Sequence, residues 1–600
     1  MTNKEYHSFH IPVMGLGFTI DTPLKVARFG ISSVISIIED HLIERMREFH
    51  AFQNDEEYIP ILINDKDRRA KRITAYLNLI ERIVEKQMVI LKAEPFERGK
   101  DIMKYFEMLP DESPLRKLFL EMNSMHDGSA KEFLKKQLRS KIIAGSIDVN
   151  IMTKVDTSTY AANGEDVPPE NATAHSALRG FANSKLGSSV IFSAGMNPRL
   201  YSYCENFRDF FPDENGISKK KITLKVSDYR SALIQGKFLA KKGLWISEFR
   251  IESGLNCGGH AFATDGYLLG PILEEFRVRR SELAGELFSI CNEALSQKGR
   301  QKYISLPKMK VTVQGGIGTA GENKFLIDHY EVDSTGWGSP FLLVPEVTNV
   351  DDETLHQLAE AKQEDYYLSH VSPLGVLFNN FHKSSSEKQR RQRVAAGRPG
   401  SPCYKKYLTF NTEFTAEPIC TASRQYQDLK IKELKSKNLT DKIFQRELEL
   451  VTEKDCLCEG LGVSALLKNH LSPAHELNAV SICPGPNLAY FSGVFSMQEM
   501  VNHIYGRINL LNSLPRANMF INELKMYVDY LKNEILKGKE DISLKQKKYA
   551  EEFRNNLIAG IDYYKNLIPR IKKETGLQLK SFKDDLKKLQ GELMIETAIA

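Results

Sequence analysis

The sequence predicts an α/β fold, a (β/α)8 TIM barrel carrying a helical insertion and a helical C-terminal extension. Three observations predict it. Short apolar runs alternate with amphipathic helical stretches through the first 345 residues, the pattern of parallel βαβ units. The 600 residues exceed what one hydrophobic core organises. Two glycine turns, Gly315-Gly316-Ile317-Gly318 and Gly336-Trp337-Gly338-Ser339, follow consecutive late strands, where a barrel commonly builds an anion site.

The run IPVMGLG (11–17) reads as the first strand, and Asp21-Thr22-Pro23 then opens a capped helix in LKVARFGI. SIDVNIM (146–152), SVIFSAG (189–195), KITLKVS (221–227) and LWISEFRIES (244–253) read as further strands, the last two joined by the helix YRSALIQGKFLAKKG. MKVTVQGG (309–316), the helix NKFLIDHY (323–330) and the strand EVDSTGWGSPFLL (331–343) repeat the unit. Helical periodicity in RITAYLNLIERIVEKQMVI and SAKEFLKKQLRSKI predicts a helical insertion over 51–139, leaving 1–50 and 140–382 to the barrel. The stretch 153–185, rich in small residues without periodicity, is expected to be a long loop over one face. Serine, basic residues and glycine over 383–400 predict a linker, in which Lys388–Arg393 is a solvated charge run or a dock for an acidic partner. A cysteine-containing accessory region (401–505) and a lysine-rich helical region (506–600) complete the chain. In MFINELKMYVDYLKNEIL the residues Ile521, Leu524, Val528, Leu531 and Ile535 share a face, suited to a packed helix hairpin or to the contact of a homodimer.

With 42% hydrophobic and 26% charged residues the composition is that of a globular protein. The 82 Lys+Arg against 77 Asp+Glu leave a net charge of +5, too little over this length to predict a nucleic-acid partner. No apolar stretch is long enough for a membrane span, and the start MTNKEYHSFHIPVMG lacks the pattern of an export signal, so a soluble cytoplasmic protein is expected.

The segment GLNCGGHAFATDG (254–266) follows the strand LWISEFRIES and places His260 at a strand's carboxyl end. An imidazole there exchanges protons near neutral pH, which suits an acid/base role. Asp265 is expected to cap the helix GYLLGPILEEF. Of the 8 cysteines, Cys403, Cys420, Cys456, Cys458 and Cys483 cluster in sequence. Cys420, Cys456, Cys458 and Cys483 are a candidate thiolate set for an iron–sulfur cluster, although their spacing matches neither common ferredoxin run. A redox or zinc role and plain buried thiols are the alternatives.

The ordered set IPVMGLG, DVNIM, SVIFSAG, KVSDYRSA, GLNCGGHA, VQGGIGT and TGWGSPF resembles the nitronate monooxygenase (2-nitropropane dioxygenase) family of FMN-dependent barrels. That family includes flavin-dependent enoyl reductases acting on carrier-protein substrates. The resemblance covers roughly 10–50 and 140–346. It implies FMN at the barrel mouth, with Met14 and Gly15 near the isoalloxazine and Asn150 hydrogen-bonded to it. It also implies Gly315, Gly316, Gly336, Trp337, Gly338 and Ser339 around the phosphate, and His260 as the active-site acid/base. Asn256-Cys257 replaces the family's Glu-Ala, and Ile272 stands near a usual glutamine, so the polarity of the substrate is left open. The substrate implied is a small molecule or a carrier-borne group: a nitronate oxidised with O2, or an enoyl thioester reduced with NAD(P)H as co-substrate. No Gly-x-Gly-x-x-Gly follows a strand, so a nicotinamide is expected to share the flavin face. A flavin-free barrel serving as a binding or scaffold module is the third reading.

Overall fold

In the computed structural model, which describes residues 5–156, 169–193, 195–258, 265–536, 544–575 and 579–595, eight parallel strands close into a barrel. They are β1 (Phe9–Ile11), β2 (Ser32–Ser36), β3 (Ile147–Ile151), β4 (Ser189–Phe192), β5 (Lys221–Val226), β6 (Ile246–Glu252), β7 (Lys310–Gln314) and β8 (Ser334–Gly336). They pair in chain order, and β8 returns to β1 through Phe9↔Thr335 and His10↔Gly336. The run 11–17 yields a shorter strand than its hydropathy suggests. Pro12 has no N–H for the ladder, and the chain turns across the C-terminal end of the barrel with Gly15 at φ 67°. β2, SSVIS, is invisible to hydropathy because serines interrupt it, yet all its residues are buried. Only Ser334–Gly336 of the expected strand 331–343 pairs, and a 3-10 helix (Ser339–Leu343) with Pro340 in its first turn follows.

Strand alternation divides β6 between two environments. Phe249 faces the helix Leu269–Gln297, its ring 6.2 Å from that of Phe276, so Glu248, Arg250 and Glu252 turn inward. The barrel interior is therefore largely polar. Arg250 donates to Glu248 at 2.7 Å, and the Thr312 hydroxyl donates to the same carboxylate at 2.6 Å. Burial raises the Glu248 carboxyl, but the Arg250 guanidinium more than reverses this and brings it to about 2. Burial and then Arg250 hold His10 well below its usual value, which keeps it uncharged. Val13, Val34 and Ile191 form a small apolar cluster of their own, apart from the main core.

Four helices, Arg68–Ala93, Asp101–Glu107, Pro114–Ser124 and Ser129–Lys141, lie in sequence between the helix Asp40–Gln53 and β3. The interval expected as a long loop contains a helix, Thr173–Asn183, while 157–168 lie outside the described residues. Small residues let this helix sit close on Arg68–Ala93. A Cβ on Gly180 would stand 2.7 Å from Ile73, and its carbonyl accepts from the Thr74 hydroxyl at 2.9 Å. Its buried stripe, Ala174, Ala177, Leu178, Phe181 and Ala182, is built mostly of alanine and so stands out little from the small residues around it.

The expected linker 383–400 is also corrected. Ser385–Ala395 is a helix whose N-cap Ser384 accepts from the Glu387 N–H. Its charges divide between two faces: Glu387 is 2% exposed and pairs with Arg390 at 2.8 Å, and Arg393 reaches Asp455 at 2.7 Å, whereas Lys388 and Arg391 are exposed. Pairing, which a charge count does not reveal, takes Glu387, Arg390 and Arg393, and solvation keeps Lys388 and Arg391. Between barrel and linker an antiparallel hairpin forms from β9 (Tyr366–Ser369) and β10 (Phe378–Phe381).

The helices Met519–Tyr530, Leu544–Thr575 and Leu579–Ile595 make up the C-terminal region. Ile521, Leu524, Val528 and Leu531 are buried inside this chain, and Phe520 stacks on Tyr564 at 5.1 Å. These four residues of the expected face are packed within this chain, as a helix hairpin would have it, and the Ile535 side chain lies outside the described residues. Among the described residues, no helix is long and apolar enough to cross a membrane.

Candidate functional site

The C-terminal ends of the strands open into a cavity of about 350 Å3 lined by Gly15, Asn150, Lys154, Lys225, Glu252 and Asn256, among others. Leu374, Val376 and Leu461 from the later chain complete its wall. The helix Leu457–Lys468 is tied to the β1 turn, where the Gly17 N–H donates to the Leu461 carbonyl at 2.9 Å. Such a mouth is where barrels carry their chemistry.

Glu252 organises the floor. One of its oxygens accepts from Gln314 and from Asn256, each at 2.7 Å, and Lys225 pairs with it at 3.0 Å. Asn150, at the end of β3, is 6% exposed, and its Oδ1 is buried without a hydrogen-bond partner. A buried acceptor left without a partner in a residue that lines a cavity suits a donor supplied by a ligand.

The turn 255–258 closes the side of this mouth. The Gly15 N–H donates to the Gly258 carbonyl at 3.2 Å, and the Gly258 N–H donates to the Cys483 carbonyl at 3.0 Å. Gly258 has φ 78°, and a Cβ there would stand 2.5 Å from the Met14 Cα. Met14 is 1% exposed beneath it. His260 and Gly259 follow immediately and lie outside the described residues. Asp265 does not cap the next helix, whose N-cap is Leu268. The Leu269 N–H instead donates to Glu523 at 2.8 Å, and the Ser253 hydroxyl donates to the other oxygen of the same carboxyl at 2.8 Å.

The two glycine turns lie side by side but are filled by this chain. A Cβ on Gly315 would meet the Asn256 nitrogen at 2.9 Å, one on Gly316 the Leu255 side chain at 2.6 Å, and one on Gly338 the Cys257 sulfur at 2.4 Å. Burial and then neighbouring Cys483 push the Cys257 thiol up to about 12. Gly336 pairs with β1, and a Cβ there would meet Gln314 at 2.6 Å. Trp337 is 1% exposed and donates from Nε1 to the Thr335 hydroxyl at 3.2 Å. Ser339 is buried against Gly485. Arg516 of the C-terminal region reaches the same place, pairing with Glu322 at 2.7 Å and donating to the Gly316 carbonyl at 2.7 Å and to Asn487 at 3.0 Å.

The residues therefore fit FMN in part. The mouth cavity and Asn150 suit a planar ring with donors, whereas the glycine turns expected to cradle a phosphate are packed by Leu255, Asn256, Cys257 and Arg516. Lys154 and Lys225 are the cations that line the cavity itself. Sequence reading missed Lys225, Glu252, Arg516 and Glu523. The first two were visible as charges in phase at the ends of predicted strands. The last two come from a region 200 residues or more downstream of the turns they serve and carried no local signal.

The expected cysteine set is rearranged. Cys483 lies beside Cys257. Cys420 instead lies beside Cys403, and Cys456 beside Cys458. Among the described residues no three His, Cys, Asp or Glu side chains are grouped to hold a metal ion.

No protein-family profile matches the sequence, and no curated protein matches it. Among solved structures, the enoyl reductase domain of MlnA from the macrolactin biosynthesis cluster of Bacillus amyloliquefaciens is similar to 76% of this chain and to 89% of that one, at 13% identity and a TM-score of 0.30. Similarity that low carries no functional weight, and the barrel rests on its own strand pairing.

Proposed function

We propose that the chain is an FMN-dependent oxidoreductase, similar to nitronate monooxygenase, that works at the cavity of the barrel mouth. The observation that carries the reading is Asn150, whose buried Oδ1 has no hydrogen-bond partner, lining a cavity of about 350 Å3 that Gly15 also lines. Asn150 would accept a hydrogen bond from the ring, and Gly15 would give it room for close approach. FMN supplies the electron-accepting and electron-donating chemistry when bound. Lys225 presents a cation, held at 3.0 Å by Glu252, that attracts an anionic substrate such as a nitronate, or the oxygen of a thioester carbonyl. Leu374, Val376 and Leu461 limit the access of water. His260 is the proposed proton carrier, on the strength of its sequence position.

A specific observation favours a second reading, a flavin-free ligand-binding barrel: Leu255, Asn256, Cys257 and Arg516 fill the turns where a phosphate was expected. An absorbance spectrum of the purified protein from about 300 to 700 nm, followed by titration with FMN, separates the two. Flavin bands, or saturable binding weakened by Asn150→Leu, are expected. A colourless protein that FMN cannot reconstitute overturns the proposal. With flavin present, O2 consumption on a nitronate is the expected activity. NAD(P)H consumption on an enoyl thioester, with no reaction on nitronates, would select the carrier-linked reductase instead.

A further inference from the structure

The stretch 402–421 contains no helix and, apart from the isolated bridge Asn411↔Ile419, no strand pairing. A compact loop of that length is usually functional. Its ends are fastened by the bridge Ser401↔Ser423, where the Ser401 N–H donates to the Ala422 carbonyl at 2.8 Å and the Arg424 N–H donates to the Ser401 carbonyl at 3.2 Å. This closure brings Cys403 and Cys420 together at the wall of one cleft. Cys403 is half-buried and Cys420 is 5% exposed, and both are free thiols. Both line an open cleft of about 380 Å3 together with Lys406, Glu417 and Arg424.

We propose that Cys403 and Cys420 form a redox-active dithiol that reduces a low-molecular-weight disulfide, such as a peptide disulfide, admitted by this cleft. An accessible attacking thiol and a buried resolving thiol in contact are what thiol–disulfide exchange requires. The Cys403 thiolate attacks one sulfur of R–S–S–R, the S–S bond breaks, and one RS⁻ leaves and takes up a proton. Cys420 gives its proton to solvent and attacks the Cys403 sulfur, forming the Cys403–Cys420 bond and releasing the second RS⁻. One disulfide is reduced to two thiols and the protein dithiol is oxidised by two electrons, one turnover per protein.

The surroundings distinguish the two roles. A hydrogen bond from the Cys420 thiol holds the Cys403 thiol below its ordinary value against burial, and the Lys406 backbone N–H adds to this. That same hydrogen bond, and then burial, push Cys420 up, as suits a group that reacts second. A second pair with the same division, half-buried Cys456 and buried Cys458, stands at the start of the helix Leu457–Lys468 within electrostatic range of Cys420.

The test uses the full-length reduced protein and oxidised glutathione under argon, with acid quench and peptide mapping by mass spectrometry. The wild type is expected to yield a Cys403–Cys420 disulfide, Cys420→Ser to trap about one glutathione on Cys403, and Cys403→Ser to do neither. Iodoacetamide is expected to alkylate Cys403 at least about tenfold faster than buried Cys204. Failure of the wild type to form the Cys403–Cys420 bond, or equal alkylation rates, overturns the proposal. So does zinc or iron copurifying in stoichiometric amount and released when Cys403 or Cys420 is replaced.

Discussion

Glu523 is a carboxyl with no cation acting on it, and replacing it by glutamine tests what its burial costs. It is 1% exposed, and it accepts from Ser253 and from the Leu269 N–H. Burial raises it from 4.5 to about 7, against the lowering by hydrogen bonds from the Leu269 N–H, Ser253 and the Gly254 N–H. That change corresponds to about 3 kcal/mol between the two protonation states. Between pH 4.5 and 7 the folded chain keeps a proton that the unfolded chain has released. The stability linked to that proton is fully present below pH 4.5 and lost as the pH rises through 7. In Glu523→Gln the amide oxygen accepts from Leu269 and the amide nitrogen donates to the Ser253 hydroxyl, so the contacts survive without a charge. Thermal unfolding followed by circular dichroism at pH 5 and pH 8.5 reads the outcome. The variant is expected to match the wild type at the lower pH and to exceed it by about 2–3 kcal/mol, a few degrees in midpoint, at the higher. Other carboxylates titrate equally in both proteins and cancel in the difference. Parallel pH profiles would show that Glu523 is already ionised at neutral pH and refute the reasoning.

Arg516→Met leaves Glu322, with a side chain 4% exposed, as a buried carboxylate without its cation, and a loss of about 3–5 kcal/mol is expected, partly restored by adding Glu322→Gln. Midpoints of thermal unfolding measure it, and a single variant as stable as the wild type would contradict it. Gly258→Ala forces a side chain at φ 78° to within 2.5 Å of the Met14 Cα, so a loss of about 2 kcal/mol is expected in the same assay. Asn150→Leu is expected to weaken FMN about tenfold, read by quenching of flavin fluorescence, and unchanged affinity would place the ring elsewhere.

The barrel was legible in the sequence because the apolar runs at 146–152, 189–195, 221–227, 244–253 and 309–316 each supply a strand. β2 was lost because serine carries no hydropathy signal, and Thr173–Asn183 because its contacts use small residues. The polar interior was written in β6 as alternating charges, but its meaning depended on partners on the neighbouring strand, such as Thr312, that no local window contains. The same limit applied at the site. Asn150 emerged from motif order, whereas the filling of the glycine turns depends on Cys257 and Arg516 approaching from other parts of the chain. The cysteines were found as a group, but spacing could not say that Cys403, and not Cys483, partners Cys420.

Arg516 and Glu523 hold the turns beside β6 and β7 from 200 residues or more downstream. During synthesis the eight strands emerge from the ribosome long before these two residues do. The nascent barrel must therefore wait with Glu322 unpaired, so its mouth takes final shape only after the helix Met519–Tyr530 has been made. Contacts of such sequence separation slow folding, and until they form the half-finished mouth stays open to solvent.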